Sequence, residues 1–196
     1  MKSVSPETIR NNAPASPVIN ILQTHPIQSF ALTHYLWERR ISLHVARQYC
    51  TEAQYTIGEK TFYALGFRND AGGYHLANRY HEYTAGPQYL TLTPTGSPDI
   101  AAFSHPLSLL TLVSLLQYAG QAVPDLLVIP DIAFLDAALP ILSSHRRIHL
   151  FPDNNATGRQ LLLSLTSFPC QIDHSPLYHG YKNLNQWACQ IGKRQG

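Results

Sequence analysis

The stretch Arg147-Ile148-His149-Leu150-Phe151-Pro152-Asp153-Asn154-Asn155-Ala156-Thr157-Gly158-Arg159 decides the fold class. An apolar run of strand length ends in Pro-Asp. A polar turn comes next, and then Gly-Arg on a segment with helical spacing. That is a strand running into a helix, with Asp153 at the carboxyl end of the strand. Upstream the same texture repeats. Ile100-Ala101-Ala102-Phe103 and Asp125-Leu126-Leu127-Val128-Ile129 read as buried strands, and Leu107 to Tyr118 as a helix stopped by Gly120. Ile132 to Leu142 reads as a helix interrupted near Pro140. Downstream, Ala156 to Leu165 reads as a helix, Cys170-Gln171-Ile172 as a strand and Asn183 to Ile191 as a helix. Apolar strands alternating with helices imply a parallel sheet covered on both faces, a Rossmann-like α/β layer, over about residues 98–192.

The preceding region differs. Ser29 to Arg40 carries Phe30, Leu32, Tyr35, Leu36 and Trp37 at roughly helical spacing, and Ser42 can cap a second helix reaching Tyr49. Thr61 to Phe67 and Gly73 to Asn78 flank the turn Asn69-Asp70-Ala71-Gly72-Gly73, which predicts a β-hairpin over 60–78. Gln88 to Thr93 reads as one more strand. Residues 18–97 are therefore expected to form a smaller α+β subdomain, and residues 1–17, polar and rich in Pro, Asn and Ser, a flexible arm.

Composition narrows the function. Only 13% of the 196 residues are charged and 44% are hydrophobic, so the chain is not of the disordered class. A net charge of +2 allows nucleic-acid binding without arguing for it. Three cysteines without a CxxC pair leave no framework for a zinc ribbon or a disulfide scaffold. The first residues lack the apolar core of a signal peptide, and no apolar run approaches the ~18 residues of a membrane span. A cytoplasmic protein without a membrane segment is expected.

In an open parallel sheet, ligands bind beyond the carboxyl ends of the strands. Three ends are readable: Phe103-Ser104-His105, Ile129-Pro130-Asp131, and Phe151-Pro152-Asp153 with its polar turn to Arg159. A second acid two residues beyond Asp153 would let two carboxylates share Mg²⁺, which takes one or two carboxylates plus waters and phosphates. Asn155 stands there instead. Asp153 has a structural alternative as the cap of the next helix.

The stretch Leu150 to Arg159 resembles the Toprim signature, Asp-x-Asp followed by Ala-x-Gly-Arg. Gly66 to Tyr74 and the ending Lys182-Asn183-Leu184-Asn185-Gln186-Trp187 add to it. Together they are similar to the primase-like Toprim proteins of Bacteroidetes mobile elements, over about residues 25–192. The resemblance implies the metal-binding fold of primases and topoisomerases. It also marks departures. The family's strand-end glutamate is matched by Ser104, a nearby acid by Ser108, the second acid of Asp-x-Asp by Asn155, and the acid of the ending by Asn183. The usual zinc ribbon is absent from the sequence. Asp153 remains, with Asn155 as a weak helper, and His105 is the one candidate for proton transfer.

The expectation is thus a degenerate primase-like Toprim protein. It would bind DNA or RNA without catalysis, in DNA replication or mobile-element maintenance, through Arg159, Lys182, Arg68 and Arg79. No cofactor is expected, beyond weakly held Mg²⁺. Two alternatives stand beside it. One is a metal-dependent nucleotidyl or phosphoryl transferase whose carboxylates come from Asp131, Asp136, Asp153 and Asp173. The other is a protein-interaction module with a decayed site, binding a protein partner or a second copy of itself. The aromatic residues Phe62, Tyr63, Phe67 and Tyr74 are read as core in preference to a base-stacking platform. Trp37 is read as core or interface, and His174 as a surface residue.

Overall fold

The apolar runs around Asp153 pair as a parallel sheet in the computed structural model, which describes residues 18–166, 168 and 170–191. The arm expected over 1–17 lies outside the described residues. The strands are β7 (Asp99–Phe103), β8 (Asp125–Val128), β9 (Arg147–Phe151) and β10 (Gln171–Asp173), with β6 (Thr91–Thr93) antiparallel on the edge. Their order is β10-β9-β7-β8-β6. Helices α3 (Pro106–Tyr118), α4 (Leu135–Ser143) and α5 (Ala156–Leu165) connect the parallel strands.

Alternation explains why both faces are covered. Ala101, Phe103, Leu126, Val128 and Phe151 point to one face and pack with α3 and with α6 (Leu184–Ile191). Ile100, Ala102, Leu127, Ile148 and Leu150 point to the other and pack with α4 and α5. The chain leaves β7 towards the α3 face and leaves β9 towards the α5 face, although β7 and β9 are neighbours. That divergence opens a crevice at their carboxyl ends, where open α/β sheets take ligands.

The N-terminal half holds more strand than the sequence announces. Besides α1 (Phe30–Glu38) and α2 (Leu43–Tyr49), it has β1 (Ile19–His25), β2 (Thr51–Ile57), β3 (Lys60–Arg68), β4 (Tyr74–Ala77) and β5 (Glu82–Ala85) in one antiparallel sheet. The hairpin expected over 60–78 is β3–β4. Gly72 takes φ +83° at its turn, and a Cβ on Gly73 would meet the Pro87 carbonyl oxygen at 1.9 Å. β1 approaches β5, so the sheet curls around Ala53, Tyr55, Ala64, Leu76 and Ala85. The strand expected over 88–93 shortens to β6 and joins the parallel sheet.

The two halves share one core. Leu36, Val45 and Ala46 of α1 and α2 cluster with Phe103, Leu110 and Leu184. Polar ties reinforce it: Asn185 Nδ2 donates to Arg39 O and to Thr111 Oγ1, both at 2.9 Å. Glu52, buried on β2, accepts the N–H groups of Gln28 and Ser29 at 2.9 Å and so fixes the entry to α1. Phe62 and Tyr74 pack on the curled sheet and Phe67 joins the shared core, but Tyr63 is 48% and Trp37 65% exposed. No described helix is long and apolar enough to cross a membrane.

Candidate functional site

Asp153 lies just past β9, buried, with its backbone N–H donating to Ser104 Oγ of the adjacent strand end at 3.3 Å. This bond joins the two lips of the crevice. Close packing sets the turn, since a Cβ on Gly158 would lie 1.9 Å from the Asp153 carbonyl oxygen. Only glycine lets α5 start so near the strand end. Asn154 anchors the other side, its Nδ2 donating to the carbonyls of Tyr178 and Tyr181 at 3.1 and 2.8 Å.

The Asp153 carboxylate is poorly satisfied. Asn183 Nδ2 reaches Oδ2 at 3.5 Å, and Oδ1 is buried without a hydrogen-bond partner. Burial raises its pKa above the ordinary carboxylate value. The nearby His105 and Lys182 and the Asn183 contact oppose the rise, while Glu82 adds to it. Such an orphaned oxygen costs about 1–3 kcal/mol unless a proton or a cation meets it.

The two asparagines at positions where the Toprim resemblance leads one to expect acids have other work. Asn155 Oδ1 accepts the Gly158 N–H at 2.8 Å and caps α5. Asn183 Oδ1 accepts the Gln186 N–H at 3.0 Å at the start of α6. Asn155, not Asp153, is therefore the helix cap. Ser104 Oγ already accepts from Asp153, and Ser108 Oγ is fully buried on α3 without a partner. The acids left near this strand end are Asp153 and Glu82, and the Glu82 carboxylate is already engaged by His105. That is a poor match to Mg²⁺ as carboxylate-lined sites hold it.

His105 is spoken for at both nitrogens. Nδ1 accepts the Leu107 N–H at 3.1 Å, capping α3, and Nε2 lies 3.2 Å from Glu82 Oε2. An accepting Nδ1 puts the ring proton on Nε2, which donates to Glu82. No nitrogen then remains to move a proton on a substrate. Glu82, at the start of β5, had no signal in the sequence because β5 itself was not legible. Its pKa is lowered to about 2, first by the His105 hydrogen bond and also by the charge of Lys182. His75 of β4 packs edge-on against His105, with ring centroids 4.8 Å apart, and burial pushes it down to about 4.

The remaining candidates separate. Lys182 sits at the crevice, near enough to act on both Asp153 and Glu82. Arg159 is exposed on α5 and Arg68 is exposed at the end of β3. Arg79 pairs with Glu38 at 3.2 Å. Asp131 Oδ1 caps the 3₁₀ turn at Ile132–Phe134, and Asp173 accepts from Ser175, so both are occupied locally. Asp136 is exposed in the first turn of α4. His174 is not a plain surface residue: it stacks on Phe151 with centroids 4.5 Å apart and bonds His149 at 2.9 Å.

Comparison with known proteins places this architecture. A family model described as a domain of unknown function (DUF8464) matches residues 21–86. No curated protein matches the sequence. Among solved structures, the primase fragment of the bacteriophage T7 primase-helicase protein superposes with a TM-score of 0.59 at 15% identity, covering 92% of this chain and 80% of that one. The T7 primase domains, seen with the phage lagging-strand DNA polymerase, an RNA/DNA hybrid and dTTP, give 0.56 at 15% identity over 85% of this chain and 87% of theirs. The chain thus has the primase-type Toprim fold. At such identity the likeness concerns the fold alone.

Proposed function

We propose that this chain is a primase-related protein that holds nucleic acid at the Asp153 crevice without catalysing metal-dependent phosphoryl transfer, in DNA replication or mobile-element maintenance. One observation carries the proposal. The side-chain oxygens of Asn155 and Asn183, which stand where the family has acids, are turned into helix caps, so neither position adds a carboxylate beside Asp153. With Glu82 engaged by His105, Asp153 is the carboxylate left to meet a cation, and it cannot offset the charge and lost hydration of Mg²⁺ as several would, so the ion is held weakly. The resemblance to primases and the fold likeness support the nucleic-acid assignment. So does Lys182 at the crevice, with Arg159 and Arg68 exposed as further phosphate contacts.

The test is fluorescence anisotropy of labelled single-stranded DNA and RNA in EDTA, alongside primer-synthesis and nicking assays with Mg²⁺. Binding should persist in EDTA and weaken with salt. Lys182→Ala should lower the log–log salt slope by about 0.7 for its lost contact. Mg²⁺-dependent turnover that disappears in Asp153→Ala overturns the proposal, as does failure to bind any oligonucleotide at low salt.

A second reading, a protein-interaction module, draws on a groove of about 530 Å³ edged by Phe30, Tyr63 and Tyr80, with Phe30 83% and Tyr80 78% exposed. A concentration-dependent dimer disrupted by Phe30→Ser would favour it.

A further inference from the structure

Strand register puts three unlike residues in one place. In the β4–β5 pair, Ala77 faces Glu82 and His75 faces Thr84, so His75 and Glu82 are diagonal neighbours on one face of the sheet. The start of α3 brings His105 against that face. One ligand atom from each of His75, Glu82 and His105 falls in a group whose members all lie within 4.8 Å of one another. His75 Nε2 is buried with no hydrogen-bond partner, although the ring is held neutral with a lone pair to offer. The Asp153 crevice makes no use of this orphaned nitrogen.

We infer that His75, Glu82 and His105 form a binding site for a transition-metal dication of the zinc class, separate from the Asp153 carboxylate. Two imidazoles and a carboxylate are a donor set that zinc takes, leaving a fourth position to water. Donors about 2.0–2.1 Å from zinc stand roughly 3.3 Å apart in a tetrahedron. His105 Nε2 and Glu82 Oε2 are already 3.2 Å apart, so closure falls mainly to the His75 ring. His75 also lines a cavity of about 30 Å³ with Thr84, Pro106 and Pro130, which has room for one water. The Glu82 carboxylate offsets part of the cation's charge, and Lys182 limits the affinity.

Binding has a defined proton consequence. The metal takes the place of the Nε2 proton of His105, which moves to Nδ1, and the Leu107 N–H leaves that cap. The backbone bond from Ser108 N–H to His105 O keeps the helix start in place. The bound ion fastens the β4–β5 edge of the antiparallel sheet to the rim of the crevice.

Cobalt(II) titrated into tag-free protein reads the site through its visible absorption. One equivalent should give the intense bands of four-coordinate cobalt, removed by added zinc. His75→Ala and Glu82→Gln should each weaken cobalt binding at least tenfold. Circular dichroism identifies any variant that does not fold, and the other variant then decides. No such spectrum from the wild-type protein, or a spectrum that survives in folded His75→Ala and Glu82→Gln, overturns the site.

Discussion

Restoring the two missing acids tests how the crevice lost its charge. In Asn155→Asp/Asn183→Asp both helix starts should survive, because Asp and Asn cap about equally and a carboxylate suits a helix N-terminus. Electrostatics change far more. Asn183 Nδ2 now stands 3.5 Å from Asp153 Oδ2. A carboxylate in its place sets two negative charges about 5 Å apart between centres, a repulsion of about 3 kcal/mol at an effective dielectric near 20. For a chain of this size, where 1 kcal/mol moves Tm by about 2–4 °C, the metal-free variant should melt about 6–12 °C lower. Mg²⁺ at about one hundred times its Kd returns about 2.7 kcal/mol. Thermal melts in EDTA and in about 10 mM MgCl₂ should therefore show the variant recovering roughly 5–11 °C while the wild type stays within a degree or so. A variant as stable in EDTA as the wild type would refute the convergence of these side chains on Asp153. A wild type that gains as much from Mg²⁺ as the variant would refute the loss of the site.

Gly158→Ala should be severely destabilising, by about 3 kcal/mol or more, because its Cβ would overlap the Asp153 carbonyl oxygen and backbone at both positions is fixed by packing. A urea midpoint within error of wild type would show that the turn can open. Asp153→Asn should stabilise the protein at neutral pH. The folded-state pKa of Asp153 lies above its unfolded value, so the contribution of the group is fully present below the unfolded pKa and is lost as pH rises through the folded one. The gain from Asn should accordingly shrink to nothing below about pH 3.8, and stability curves against pH for the two proteins would check it.

The parallel layer was legible because β7 and β8 are buried on both faces and read as short apolar runs after an initial Asp, while β9 ends in the buried pair Leu150-Phe151 just before Pro-Asp. Glycine and proline punctuate them at Gly120 and Pro152. The antiparallel sheet was not. β1 reads Ile-Asn-Ile-Leu-Gln-Thr-His, with mostly exposed positions, and its place in the sheet comes from pairing with β2. β2 hides a buried Glu52 that serves the α1 entry, and β5 is four residues long. Short, half-polar strands carry little periodic signal, and β1 reaches its partner β2 only across the two helices α1 and α2.

The site divides in the same way. Asp153 was found because a strand end marks itself locally. Residue type alone could not tell that Asn155 and Asn183 cap helices, since a cap and a weak ligand use the same amide oxygen. His75 and Glu82 needed the β4–β5 register to meet, and β5 had no signature. His174 read as a loop residue because its partners, His149 and Phe151, lie across a strand pairing.

The most direct measurement is a calorimetric titration of the wild-type protein with Mg²⁺, an ion that prefers oxygen donors over the imidazoles near Glu82, with Asp153→Asn as reference. The two titrations should match, with no saturable heat through the low-millimolar range. A saturating micromolar isotherm in the wild type that vanishes in Asp153→Asn would contradict it.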